Sequence, residues 1–317
     1  MDSDSASPRF NRAWRDVVRA GLTLGLMTPA PMPAAVPADP AAARRIAQAA
    51  EAAGFAALWT RDVPLMIEQE GSVSALDDPF IWLGMLAGAT ERIAIGTAAA
   101  VLPLREPLHL IKAALSLDRL TGGRFLLGLG SGDRPAEFAA FGQELATAGE
   151  LYRERWAIVR AALDPAPAMQ QALLAHSGGH AVLPPPAARI PMIAVGSARQ
   201  SLQWIAANAD GWASYHREEE RQLGRIGLWQ QALGLRADGV PKPFIQSLNL
   251  DLVADPDQPP EPILLGVRTG RSALQAYLQR LRLSGVAHVI INVVRNGRPA
   301  LDVIEELGRY VVPHTAQ

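Results

Sequence analysis

Eight short apolar runs, each followed by a stretch of helical periodicity, constrain this chain more than any other feature. They lie at 22–27, 55–60, 92–103, 124–130, 191–196, 211–215, 244–253 and 288–294. Strands buried on both faces read as continuous apolar runs, and strands alternating with helices form parallel sheets. Eight such units in 317 residues predict a closed (β/α)8 TIM barrel of the α/β class, spanning 21–317 as one domain. Residues 1–20 read as an N-terminal helical extension whose Trp14, Val17 and Val18 share a packing face. Asp-Pro-Ala-Pro, Ser-Gly-Gly and Pro-Pro-Pro within 164–190 predict an irregular insertion on one barrel loop. No repeat of 20–50 residues is visible.

Punctuation supports the helices. Asp39-Pro40 and Asp78-Pro79 pair an N-cap with a proline at the first helical position. Ser197-Ala-Arg-Gln200 and Ser272-Ala-Leu-Gln275 have capping-box spacing. The proline-rich segment at 29–37 is long for a barrel loop, and residues 255–262 read as another loop.

Composition removes several function classes. A net charge of −1 without a basic run argues against nucleic acid. The absence of cysteine excludes disulfides, thiolate catalysis and cysteine-ligated metals. Only two lysines exist, Lys112 in a helical pattern and Lys242 between prolines, and neither suits a Schiff base at a strand end. No apolar window is long enough for a bilayer, and the acidic start lacks an apolar signal core, so a cytoplasmic protein is expected.

Chemistry in such a barrel sits at the carboxyl ends of the strands. Those positions are Met27, 60–62, 97–100, 131–133, 196–197, Tyr215, Asp251 and Asn292, a set poor in catalysts. His216 stands just past the sixth run, beside Arg217 and Glu218, as an outside candidate. The run Gly128-Leu-Gly-Ser-Gly132 fits neither a nucleophile elbow nor a dinucleotide fingerprint. His176 and His180 are separated by Ser-Gly-Gly, so no metal site is expected. Asp62 and Asp133 have two readings, the paired carboxylates of a glycosidase or simple anchors for arginines. What the set does offer is room for a large preformed cofactor. The residues Gly96-Thr-Ala-Ala-Ala100 let something flat approach the backbone. Gly196-Ser197, leading into a helix, would suit a phosphate; the alternative is that Ser197 only caps that helix. Gly270-Arg271-Ser272 is a rival phosphate site.

Four stretches together carry a family resemblance: Glu51-Ala-Ala-Gly-Phe-Ala-Ala-Leu-Trp59, Gly96-Thr-Ala-Ala-Ala-Val-Leu-Pro103, Leu117-Asp-Arg-Leu-Thr-Gly-Gly-Arg-Phe-Leu-Leu-Gly-Leu-Gly130 and Ala194-Val-Gly-Ser197 with its trailing Ala-Asn-Ala-Asp-Gly211. The chain resembles the bacterial-luciferase-like flavin monooxygenases from about Leu22 onward, and more narrowly a luciferase-type oxidoreductase subgroup. The resemblance implies a barrel enzyme that oxidises a small organic substrate with O2 and reduced FMN from a separate reductase. A deazaflavin-dependent hydride-transfer enzyme and a non-catalytic flavin-binding homologue are the alternatives. It implies a cis peptide between Ala98 and Ala99, Thr97 and Ala98 lining the isoalloxazine, and Met27 and Ser131 at the cofactor. Gly196 and Ser197 would hold the phosphate with Tyr152, here preceded by Leu151 where the family has arginine. True luciferases carry a histidine after the second strand where this chain has Val63, which leaves Arg61 and Asp62 as the catalytic candidates. Members of the family commonly form homodimers.

Overall fold

The computed structural model describes residues 9–30, 38–66, 76–236, 240–293 and 296–315. In chain order the strands are β1 (Thr23–Thr28), β2 (Ala57–Thr60), β3 (Ala94–Thr97), β4 (Ala100–Val101), β5 (Phe125–Gly130), β6 (Met192–Val195), β7 (Gly211–Ser214), β8 (Phe244–Leu252), β9 (Glu261–Ile263), β10 (Gly266–Thr269) and β11 (Val286–Asn292). The helices are α1 (Arg12–Val17), α2 (Pro40–Ala52), α3 (Pro79–Ala87), α4 (Pro107–Leu120), α5 (Pro135–Ala140), α6 (Ala148–Leu163), α7 (Pro167–His176), α8 (Leu202–Asn208), α9 (Glu219–Gly234), α10 (Arg271–Leu283), α11 (Ala300–Glu306) and α12 (Val312–Thr315).

Eight parallel strands form the ring β1-β2-β3-β5-β6-β7-β8-β11, closed where β11 pairs with both β1 and β8. This is the (β/α)8 barrel expected from the sequence. Side chains on one face of the strands pack outward against the helices; those on the other fill the lumen, as the twofold alternation of a strand requires. The expected caps at Asp39 and Asp78 form. Asp39 accepts from the amides of Ala41 and Ala42 (2.9 and 3.2 Å), and Asp78 from those of Phe80 and Ile81 (2.9 and 3.2 Å).

The amino end of the lumen is shut by α1. Ala13, Trp14 and Val17 join Ala57, Trp59, Ala94, Leu126, Ile193, Ala213, Ile245 and Ile290 in one buried cluster. Above them His288 is fully enclosed. Its Nε2 accepts from Trp59 Nε1–H (2.9 Å), so its proton sits on Nδ1 and is donated to Thr23 Oγ1 (2.7 Å), which in turn donates to the Val17 carbonyl (2.6 Å). Burial holds the imidazole neutral, down at about 3. Gly25 is required beside this circuit, since a Cβ there would lie 2.5 Å from both His288 Nε2 and Trp59 Nε1.

Four expectations need correction. Residues 164–190 are not wholly irregular, because α7 occupies Pro167–His176. The loop expected to run to 262 gives way to a β9–β10 hairpin, in which β10 extends the sheet parallel to β8 and β9 runs antiparallel to β10. Ser197 does not open a helix; a turn follows it, and Ser201 caps α8 by accepting from Trp204 N (3.1 Å). Ser272 lies inside α10, whose N-cap is Gly270, and donates instead to Asp257 (2.9 Å). Residues 31–37 of the proline-rich loop lie outside the described residues. Among the described residues, no helix is long and apolar enough to cross a membrane.

Candidate active site at the barrel mouth

The third barrel strand breaks at the carboxyl end of the lumen. Gly96 pairs with Leu126 on β5 and pairing resumes at Ala100 with Leu129, so Thr97–Ala99 hold one residue more than the segment opposite. The Thr97 hydroxyl fills the gap in the ladder, donating to the Gly128 carbonyl (2.7 Å) and accepting from the Gly128 amide (3.0 Å). It is fully buried and committed to that task. Gly128 is the residue this closeness allows, because a Cβ there would lie 2.0 Å from Thr97 O. The bulge is also stitched to β2, with Ala98 N donating to Thr60 O (2.7 Å) and Asp62 N to Ala99 O (3.2 Å). The Ala98–Ala99 peptide is cis, as the resemblance implies. The result is a shelf of small, half-buried residues, Ala98, Ala99 and Gly130, at the rim of the lumen. Met27, on β1, is buried in the lumen cluster, and Ser131 is buried just past β5.

Asp62 is bound on every side. Its carboxylate takes Arg105 through both oxygens, Nε at 2.7 Å and Nη2 at 2.8 Å, and accepts from Val101 N (3.0 Å). Arg105 reaches Asp78 as well (3.0 Å) and lies over the Phe80 ring (5.3 Å). Asp62 therefore clamps the shelf to the segment that leads into α4. Outside the barrel, beyond this pair, a cleft of ≈ 580 Å³ opens between α3 and α4.

Arg61 and Tyr215 extend the inward-facing positions of β2 and β7, where Ala57, Trp59 and Ala213 already fill the lumen. Arg61 interacts electrostatically with Tyr215, and Tyr215 with Asp133 from the loop after β5. Burial pushes the Tyr215 phenol up and Asp133 adds to this, while Arg61 opposes both. Burial also draws the Arg61 guanidinium down from its ordinary value, with Tyr215 opposing. His216 turns away from the mouth, its Nδ1 lying 3.1 Å from Tyr277 OH and 3.2 Å from Gln246 Nε2, and burial lowers its imidazole.

The turn after β6 forms the opposite rim. Gly196 has φ +70°, and Ala198 and Arg199 also adopt left-handed backbone (φ +49° and +52°). Trp212 Nε1 fixes the turn by donating to Gly196 O (2.7 Å), and Gln200 Nε2 ties it to Gly149 O (2.8 Å) at the start of α6. Ser197 is exposed, and its Oγ accepts from Arg199 N at 3.4 Å. Tyr152 is wholly buried between Trp156 and Trp204, and its hydroxyl donates to Leu129 O (3.1 Å), behind the shelf rather than on it. The rival site at 270–272 is filled by its own chain. The amides of Gly270 and Ser272 donate to Gln258 O and Pro256 O (both 3.0 Å).

The structure thus brings Ala98, Met27, Ser131, Arg61, Gly196 and Ser197 to one end of the lumen and sets Thr97, Asp62 and Tyr152 behind it. Arg105 and Arg199 escaped the sequence reading. Arg105 belongs to no motif, and Arg199 stood only as an inner position of a capping-box pattern; the fold carries Arg105 to Asp62 and Arg199 into the turn after β6.

A family model described as luciferase-like monooxygenase matches residues 22–232. The alkanal monooxygenase alpha chain of the Kryptophanaron alfredi symbiont is 31% identical over 106 residues, 33% of this chain and 28% of that protein. The chain spans about a third of the length of the first curated relatives it matches, 36% and 28%. Among solved structures, an F420-dependent secondary alcohol dehydrogenase, with an F420-acetone adduct, superposes with a TM-score of 0.70 at 13% identity, covering 93% of this chain and 99% of its own. The oxygenating constituent of 3,6-diketocamphane monooxygenase from a Pseudomonas putida plasmid, with FMN, gives 0.69 at 14%, covering 93% and 98%. At these identities the two structures speak for the fold alone.

Proposed function

This chain belongs to the luciferase-like monooxygenase family, and from that membership we propose that it is a flavin-dependent oxidoreductase, a monooxygenase using reduced FMN and O2 on a small organic substrate. The observation that carries the reading is the half-buried shelf of Ala98, Ala99 and Gly130 at the carboxyl end of the barrel strands. A flat ring fits against residues this small, whereas a pocket for a sugar or peptide would present more polar side chains. When bound, the cofactor supplies the redox chemistry, which accounts for the few acids, bases and nucleophiles the chain brings.

Ala98, Gly130, Met27 and Ser131 would hold the ring system, and Thr97 holds the bulge from beneath. Gly196 and Ser197 receive the phosphate, and left-handed backbone at Gly196, Ala198 and Arg199 suits an anion. Tyr152 supports Leu129 from behind. Arg61 meets the substrate, and Asp62 acts through Arg105 and Val101 to position the shelf. With Asp62 committed to Arg105, a glycosidase built on Asp62 and Asp133 loses its support. A deazaflavin-dependent hydride-transfer enzyme is the second reading, supported by the shared fold of the F420-dependent secondary alcohol dehydrogenase. The monooxygenase also needs a separate flavin reductase. A cytoplasmic homodimer completes the proposal. Helix α3 has no charged side chain, its one polar group, the Trp82 indole N–H, is turned inward to Thr28, and Ile81 is 75% exposed on it; so apolar a helix is normally covered.

Anaerobic titration of the purified protein with oxidised FMN, reduced FMN and reduced deazaflavin decides the first point. Saturable binding of one of them is expected, and none at all sinks the proposal. Oxygen uptake with an added reductase and a substrate panel then separates monooxygenation from hydride transfer and from mere binding. Light scattering on the same preparation should return twice the 33.9 kDa chain mass; a single-chain mass removes the dimer. Cell fractionation should leave the protein in the cytoplasmic fraction, and recovery with membranes would contradict that placement.

A further inference from the structure

Around the eight-strand ring, β2 and β7 stand four steps apart in either direction, so they face each other across the barrel axis. β5 lies two steps from each. Arg61 leaves the end of β2, Tyr215 the end of β7 and Asp133 the loop after β5, and the three interact despite coming from separate sides of the barrel. Strand alternation aims both Arg61 and Tyr215 inward, two residues beyond Trp59 and Ala213 of the lumen cluster. Convergence of side chains from several strand ends is how a barrel builds a reaction centre.

The segment bearing Tyr215 is held from outside. His216, the next residue, sits against Gln246 of β8 and Tyr277 of α10. Gln246 Nε2 also donates to Tyr277 OH (3.0 Å). The backbone past β7 is thereby anchored, although the Tyr215 residue is 51% exposed at the open mouth. The charged groups facing the phenol are Arg61 and Asp133, while His216, on its own element, is turned away.

We propose that Tyr215 is a further catalytic residue, the proton donor to the reacting oxygen at the mouth, placed across the axis from Arg61 and beside the loop that carries Asp133. This rests on the flavin-enzyme reading above. The phenolic O–H bond breaks as an O–H bond forms on the reacting oxygen. The phenolate, facing Arg61, takes a proton back from solvent, and no electron changes hands at the protein. Asp133 disfavours the phenolate and keeps the donor protonated between turnovers, whereas Arg61 stabilises the phenolate once the proton has left.

Two measurements test this. The first needs no cofactor: tyrosinate absorbance of the apoprotein is followed with pH in wild type, Tyr215→Phe, Asp133→Asn and Arg61→Met. Tyr215→Phe should delete one step lying above the ordinary tyrosine range. Asp133→Asn should move that step down and Arg61→Met should move it up. A step indifferent to both substitutions overturns the convergence. The second follows reoxidation of bound reduced FMN by oxygen in rapid mixing. Tyr215→Phe should slow it by roughly 10²-fold or more and flatten its alkaline pH limb, with FMN affinity little changed. An unchanged rate and pH profile overturns the donor role. If wild type binds no flavin, the functional reading fails, and the apoprotein titration still decides whether the three side chains meet.

Discussion

The two ends of one lumen use polar groups in opposite ways. At the floor, every polar hydrogen that enters is passed along a closed circuit, from Trp59 to His288 to Thr23 to the Val17 carbonyl, and α1 covers it. At the mouth, side chains shrink to Ala98, Ala99 and Gly130, and the charges of Arg61 and Asp133 meet a phenol in half-open space. The floor is polar chemistry spent on folding; the mouth is polar chemistry left for a ligand. The same strand can do both, since Trp59 and Arg61 are two residues apart on β2 and its extension.

Damage to the floor should cost the most stability. Trp59→Ala removes a fully buried indole and leaves His288 Nε2 without its donor, and we expect a loss of about 3–5 kcal/mol in urea denaturation. A loss below about 1 kcal/mol, the common surface range, would mean that the floor circuit does not hold the barrel. A separate, pH-dependent effect of the same floor comes from His288. Its folded value lies at about 3, below the ordinary histidine value of 6.5, so the unfolded chain binds the extra proton. The imidazole's full contribution is present above pH 6.5, declines as pH falls toward 3, and levels off below that. The slope approaches roughly 1.4 kcal/mol per pH unit. Acid titration of stability should show this slope in wild type and lose it in His288→Gln; equal slopes would place the proton elsewhere. Least of all should change at the rim. Ser197→Ala removes an exposed hydroxyl, so the denaturation midpoint should shift by less than about 0.5 kcal/mol while flavin affinity falls several-fold. A stability loss as large as that of Trp59→Ala would erase the contrast between floor and mouth.

Much of the barrel was legible because its signals are local. Asp39-Pro40 and Asp78-Pro79 cap the helices they announce, since a cap is made within three residues of itself. The small-residue tip of the third strand was legible for the same reason, and its cis bond lies where the resemblance set it, whereas its bulge was not read from the sequence. Ser197 and Ser201 show the limit. Both suit an N-cap, and the turn pinned by Trp212 and Gly149 selects the second. The β9–β10 hairpin went unread because it is short, proline-bearing and exists through pairing with β8. Asp62 was legible as a strand-end carboxylate, but its partner, Arg105, lies 43 residues away on another loop.

By itself, then, the order of residues determined the alternation of strands and helices, and hence a barrel, its chemical end and the bareness of the third strand's tip. Periodicity and caps are properties of neighbours along a chain. Only the closed ring decided which polar groups are satisfied and which confront one another: His288 with Trp59, Asp62 with Arg105, Arg61 with Tyr215 across the axis. Hydrogen bonds and charge interactions depend on distance in space, and closing a barrel makes neighbours of residues that the sequence keeps 40 to 230 positions apart.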